Sequence, residues 1–397
     1  MLVYVLLAAA TTSANPAASI ETLVTQYGFN LSSMQVATQD GCILTVFCVT
    51  DPQVDVGMAR PPVLLQHGFE DSATTWVINP PNQSLGFMLA SEGYQVYLAN
   101  SRGNRYSTGI LPHAPRSRAY WEWSFDEMAQ YDLPAVISAI KQRAGASSVP
   151  IVAHSQGTTQ TFIALASNVT LADGTPLAAS VPLFVALAPA TSAMHMSSPI
   201  FDVAFKIDAG ALLALLGSYD LMANGTLPAA FCALVCGAAG LRPECDLSLG
   251  LLFGFNNSHL DPAAIGRYMS HVPSGTSIFD FMHFAQLFRH AAAIGEPVFR
   301  RYDHGPLENL RRYGQLSPPD FDLGQVPPET KVALYSGSLD TLADPKDVAW
   351  LVSRLEHPPV LQRKLEGYGH LDFVWGEQAA DDVYAELVTL LDTHTRG

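Results

Sequence analysis

Basic residues are scarce in this chain: 21 Lys and Arg stand against 36 Asp and Glu among 397 residues, a formal net charge of −15. A surface of that sign repels phosphate, and no basic stripe interrupts it, which argues against nucleic acid as a partner. Long apolar runs are also missing. No uninterrupted stretch reaches the roughly 18 residues needed to span a bilayer, so no transmembrane segment is expected. Cysteines number only five, an odd count that cannot pair completely. No second Cys or His pair stands at finger-like spacing, so no zinc or other metal site is expected. Internal repeats and low-complexity linkers are absent too. What remains is a composition that is 48% hydrophobic and 14% charged, that of a globular chain able to hold one large domain or a domain with an insertion.

Residues 1–14, "MLVYVLLAAATTSA", form a short apolar run ending in small residues, as a secretory signal cleaved near Ala14 would, although no Lys or Arg precedes it. Asn30, Asn82, Asn168, Asn224 and Asn256 each open an Asn-x-Ser/Thr sequon. That number suits a glycoprotein of the secretory pathway, secreted or lysosomal. Cys232, Cys236 and Cys245 fall together, and in an oxidising compartment Cys236 with Cys245 would close a short loop containing "GAAGLRPE". Cys42 and Cys48 lie on one predicted strand, about 20 Å apart at strand rise and beyond disulfide reach. They read as small buried hydrophobes.

Short apolar or β-branched runs recur along the chain. "MQVAT" and "CILTVFCV" join at Asp40-Gly41, a hairpin signal. They are followed by "PPVLLQHG", "YQVYLANSRG", "VPIVAHS", "VPLFVALAPA", "KVALYSG" and "LQRKLEGYG". Helical patterns separate most of them; one, "WSFDEMAQYDLPAVISAIKQRAG", opens with a capping box from Ser124 to Glu127. Near-continuous apolar strands alternating with helices predict an α/β fold, a mostly parallel central sheet with helices on both faces. Between Ala190 and Lys331 the rhythm breaks, for the gap far exceeds the roughly 30 residues of a β-α-β crossover. The expected division is a core of residues 20–190 and 316–397, with 191–315 inserted as a helical cap or lid.

"IVAHSQGTT" carries an apolar strand into Ser155 and on into a helix. A sharp strand-to-helix turn presents a hydroxyl with little steric cover if the residues two before and two after it are tiny. Here they are Ala153 and Gly157. The helix N-terminus beyond adds a favourable dipole. Such a serine needs two fixed donors for the oxyanion: the N–H of Gln156 is the first, and that of Phe69, past the strand ending in "LLQHG", is the second. His67, beside Gly68, suits shaping this loop better than acting as a base. The acid and the imidazole should follow in order, each past a strand end. In "SLDTLADPKDV", Asp344 reads as an N-cap before Pro345 and Asp347 falls in the helix's first turn, which leaves Asp340 free to orient an imidazole. His370 stands after the next strand. His113, His195, His283 and His304 fall outside this pattern and read as surface or packing residues.

The blocks "QHGFEDSATTW", "GYQVYLANSRGN", "WSFDEMAQYDLPAVI", "HSQGTT", "SGSLDTLADPKDV" and "GHLDFVWG", in this order from about Thr22 onward, resemble the acid lipases of the gastric and lysosomal type within the α/β-hydrolases. The resemblance implies Ser155 as nucleophile, His370 as general base and acid, Asp340 as its partner, and Phe69 and Gln156 as oxyanion donors. It also implies a helical cap with a lid over an apolar cleft, and the spacing of Cys236 and Cys245 matches the family's cap disulfide. Expected substrates are long-chain acyl esters, above all triacylglycerol, met at an oil-water interface, without a cofactor. Sterol-ester hydrolysis and a non-catalytic lipid binder on the same scaffold are the alternatives. The chain departs from the family where Ala153 replaces a glycine, where Phe69 and Glu70 replace an apolar pair, and where Cys232 and Phe253 mark a displaced third cap cysteine.

Overall fold

Residues 18–55, 60–110, 113, 117–221 and 259–395 are described by the computed structural model of the chain. Segment 1–14, Cys232, Cys236, Cys245 and the sequons at Asn224 and Asn256 lie outside the described residues. Among the described residues there are eleven strands: β1 Asn30–Ala37, β2 Cys42–Thr50, β3 Pro62–Gln66, β4 Gln95–Leu98, β5 Gly109–Ile110, β6 Ile151–His154, β7 Leu183–Leu187, β8 Asp220–Leu221, β9 Thr276–Ser277, β10 Lys331–Gly337 and β11 Leu361–Leu365. Nine make the main sheet, in the order β1-β2-β4-β3-β6-β7-β10-β11 with β5 beside β2, while β8 and β9 pair separately. The hairpin expected at Asp40-Gly41 joins β1 to β2, whose pairing runs from Asn30↔Thr50 to Ala37↔Ile43. β2 is antiparallel to β4, and every pairing from β4 onward to β11 is parallel.

Helices cover both faces. The main ones are α1 Leu85–Ser91, α2 Leu133–Ala144, α3 Gln156–Ala166, α4 Pro199–Lys206, α5 Ala209–Leu215, α6 Ile278–Ile294, α7 Pro345–Arg354 and α8 Ala385–Thr395. Alternate strand positions feed opposite sides. Leu64, Ile151, Ala153, Phe184, Ala186 and Leu334 join one buried cluster with Ile137 and Ile140 of α2 and Phe162 of α3. Val63, Leu65, Val152, Val185, Leu187 and Tyr335 join the other with Phe87 of α1 and Leu387 of α8. Burial on both sides explains why these strands read as unbroken apolar runs.

The helix expected over 123–145 differs in one respect. The capping box from Ser124 to Glu127 forms, but a π-turn over Met128–Asp132 separates it from α2. The wider turn leaves Asp132 buried, where it meets Arg102: Nε donates to its two oxygens at 3.0 and 3.1 Å and Nη2 donates at 2.5 Å. Cys42 and Cys48 are buried free thiols of β2. Desolvation pushes them up to about 12 and about 11, so they remain protonated and act as the apolar side chains expected.

Candidate active site

Ser155 sits between β6 and α3 with φ 53° and ψ −124°, a left-handed conformation that costs an L-residue about 1–3 kcal/mol and persists only where its surroundings hold it. Its N–H donates to Leu187 O on β7 at 3.0 Å. The turn closes because its neighbours are small. A Cβ on Gly157 would lie 2.7 Å from the carbonyl oxygens of both Gln66 and His67, and one on Gly68 would lie 2.9 Å from the Ser155 Cβ. Ala153 stands in the strand between Gln66 and Ala186, where its methyl is part of the buried core. Alanine therefore fills space at this position instead of blocking the turn.

The Ser155 hydroxyl donates to His370 Nε2 at 2.8 Å. His370 Nδ1 in turn donates to Asp340, with 3.0 and 2.9 Å to its two oxygens. Asp340 Oδ1 also accepts the N–H groups of Leu342 and Ala343, each at 2.9 Å. Burial pushes the Asp340 carboxyl up, but the charge of His370 and these hydrogen bonds outweigh it and hold the group below its ordinary value. The loops bearing the pair are tied together, since Ser338 N donates to Leu365 O and Leu339 N donates to Tyr368 O. Asp344 and Asp347 take other positions. Asp344 caps α7, and Asp347 accepts from His195 Nδ1 at 2.8 Å and its N–H at 2.9 Å.

Two further histidines shape the site. His67 Nε2 accepts from the Ser101 N–H at 3.0 Å, which leaves the proton on Nδ1 to donate to Gly68 O at 2.8 Å. Desolvation pulls its imidazole down to about 4, so it stays neutral and fixes the 67–70 loop. His154 Nε2 donates to the His370 carbonyl at 2.9 Å. Desolvation, with the charge of His370, brings His154 down to about 3. The loop-shaping role of His67 is the one its place beside Gly68 suggests; the role of His154 was not read from sequence, and its position beside Ser155 was the available signal.

Gln156 opens α3, where a helical N–H has no carbonyl one turn back. Its side chain donates from Nε2 to Asp280 Oδ2 on α6 at 3.0 Å. Phe69 lies in the loop after β3, its ring 5.9 Å from that of Phe284 and 6.3 Å from that of Phe201. Above Ser155 these rings, with Phe205, Phe281 and Leu342, line an apolar cleft. Ser155 itself is 8% exposed. Such a site can raise the nucleophilicity of a hydroxyl towards an acyl carbon while presenting an aliphatic-friendly wall to what the acyl carbon carries. Among the described residues, no group of three His, Cys, Asp or Glu is placed to hold a metal ion. Asn30, Asn82 and Asn168 are exposed.

Comparison with known proteins adds three findings. Residues 20–80 match a model described as a partial alpha/beta-hydrolase lipase region, and 61–208 match one for the alpha/beta hydrolase fold. The chain is 37% identical to the gastric triacylglycerol lipase of Rattus norvegicus over 95% of its length and 93% of that protein. It is 33% identical to lipase member K of Homo sapiens over 96% and 93% respectively. Among solved structures, the alpha/beta hydrolase GrgF from Penicillium sp. sh18 superposes with a TM-score of 0.53 at 17% identity, covering 93% of this chain and 100% of that one, which is a likeness of fold alone.

Proposed function

This chain belongs to the α/β-hydrolase lipase family that includes the gastric triacylglycerol lipases and lipase member K, and on that premise we propose how it works and on what. It is a carboxylic ester hydrolase, and its substrate is a triacylglycerol with long acyl chains. Ser155 attacks the ester carbonyl, His370 takes its proton and returns it to the leaving alcohol, and Asp340 holds the imidazole in the required tautomer. The N–H groups of Phe69 and Gln156 receive the oxyanion. Water then cleaves the acyl-enzyme by the same steps in reverse. No cofactor is required by this sequence of proton transfers.

The observation that carries this reading is the unbroken chain of hydrogen bonds from Ser155 through His370 to Asp340 beneath a cleft walled by phenylalanines. Each methylene of an acyl chain buried there is worth about 0.8 kcal/mol, so long chains gain most. Residues 191–315 act as the cap. On its outside, Val203, Ile207, Leu212, Leu215 and Leu216 are exposed, the last two at 86% and 75%, and we assign this face to contact with the oil surface. No helix among the described residues is long and apolar enough to cross a membrane. The sequons support a secreted or lysosomal location.

The test is Ser155→Ala. It should lose on the order of a millionfold in kcat and all labelling by a serine-directed phosphonate, whereas the parent protein reacts. Hydrolysis of triolein by the variant at the parent rate would end the assignment. Parallel assays on emulsified triacylglycerol and sterol ester name the substrate class; faster turnover of the sterol ester would replace the triacylglycerol reading.

A further inference from the structure

Glu70 and Asp280 are buried carboxyls that the proposed proton transfers do not use. Glu70 follows Phe69 directly and has φ 56°, a left-handed conformation again. Its carbonyl accepts the Ser274 N–H at 2.7 Å and its Oε2 accepts the Gly275 N–H at 3.0 Å. Asp280 is fully buried. One of its oxygens, Oδ2, accepts both from Gln156 Nε2 at 3.0 Å and from Thr276 Oγ1 at 2.9 Å. Each carboxyl thus joins one oxyanion segment, Phe69-Glu70 or Gln156, to the same short stretch of the insertion, residues 274–277. Each also keeps one buried oxygen without a partner, Glu70 Oε1 and Asp280 Oδ1.

We propose that Glu70 and Asp280 are positioning residues for the oxyanion hole, a paired latch that holds both donor segments in register by fastening them to residues 274–277. The inference rests on the assignment of Phe69 and Gln156 as the donors. A latch of this kind depends on protonation. The charges facing Glu70 are those of Asp280 on α6 and Asp220 on β8, and the charge facing Asp280 from the 125–127 helical turn is that of Glu127. All are of the same sign. His283, one turn along α6, is stacked on Phe125 and hydrogen-bonded to Ser124 Oγ and Arg300 O, and desolvation brings it down to about 3, so it supplies no compensating cation. Burial, followed by these like charges, raises Glu70 well above the ordinary carboxyl range, and burial raises Asp280 to about 7. Below about pH 7 both are neutral and the latch is closed. Once Asp280 and then Glu70 ionise, two anions with orphaned oxygens repel each other under the insertion, the 67–70 loop and Gln156 lose their common anchor, and the oxyanion is held less well.

The test measures kcat and KM on a soluble p-nitrophenyl ester across pH 4–9 for the parent protein, Glu70→Gln, Asp280→Asn and the double variant, with phosphonate labelling of Ser155 followed in parallel. Both substitutions keep the accepting oxygen and remove the charge. The expected result is an alkaline limb of kcat displaced upward by about one pH unit or more, tenfold in rate at a fixed pH on that limb, largest in the double variant, with KM little changed. Glu70→Ala, which deletes the anchor, should lower kcat at every pH, and melting curves report whether it still folds. If the parent protein reacts normally and the charge-free variants share its alkaline limb, the latch is wrong and the hydrolase reading stands. If the parent protein neither turns over nor labels, both fall together.

Discussion

A methyl group on residue 157 would meet the carbonyl oxygens of Gln66 and His67 at 2.7 Å, and neither oxygen can swing aside because both belong to the backbone at the end of β3. Gly157→Ala must therefore push the 67–70 loop away from Ser155. The expected cost is about 1–3 kcal/mol of stability, in the range of overpacked sites. A loss of kcat on the order of a hundredfold should accompany it, as when one oxyanion donor is removed. Denaturant unfolding together with soluble-ester kinetics checks both numbers, and a normal kcat would show that the loop does not set the reaction geometry. The same contact explains why alanine is admissible at 153 and not at 157. The Ala153 methyl points into the core cluster, whereas the Gly157 Cβ would point at another strand's end. Sequence identified both as small; only the packing tells them apart.

Helices α4 and α5 are apolar on two sides. Phe201 and Phe205 of α4 face the cleft over Ser155, while Val203, Ile207, Leu212, Leu215 and Leu216 face outward. A single leucine moved from water into oil gains about 1.5–3 kcal/mol, enough for a tenfold effect on surface binding per residue. Leu215→Asp with Leu216→Asp is expected to cut the rate on emulsified triolein at least tenfold while soluble short-chain esters are cleaved at the parent rate. Equal losses on both substrates would remove the outer face from the account. At this scale the sequence was legible wherever a period is regular: the main strands and α3 follow from it, whereas the order of the strands in the sheet does not. The π-turn over Met128–Asp132 was not, because the extra width of that turn accompanies a partner, Arg102, that is remote in sequence.

Across the whole molecule, two sets of buried groups act against each other as pH changes. Desolvation raises Asp71 and Asp280 to about 7, Asp126 and Asp372 to about 6, and Glu70 well above its ordinary value. Each contributes stability that is present below its unfolded value near 4 and lost as pH rises through the folded one. Desolvation also lowers His67, His271 and His304 to about 4 and His154 and His283 to about 3. Their contribution is present above the unfolded value near 6.5 and lost as pH falls. The slopes oppose one another between about pH 4.5 and 6, where stability should be nearly flat. Above about pH 6.5 the histidines contribute no slope and the carboxyls still do, so stability should fall towards pH 8. Glu127, Asp132 and Asp347, raised by the same burial, act in the same direction as the other carboxyls. Denaturant midpoints taken at half-unit intervals test this, and a protein growing more stable from pH 6 to 8 would contradict it.

The amino-acid order alone determined the α/β architecture, the sheet strands and the sequence Ser155, Asp340, His370, because hydrophobic period, turn residues and the chemistry of a nucleophile at a strand end are local properties. The resemblance to the acid lipases also marked Glu70 as a departure without saying what it does. The tertiary structure decided who meets whom: Gln156 and Asp280 are 124 residues apart, His154 meets a carbonyl 216 residues away, and Glu70 reaches Gly275 across 205. Whether a carboxyl is an anion or a neutral hydrogen-bonding group depends on the solvent it has lost and the charges beside it, and both are set by contacts that no window of the sequence contains.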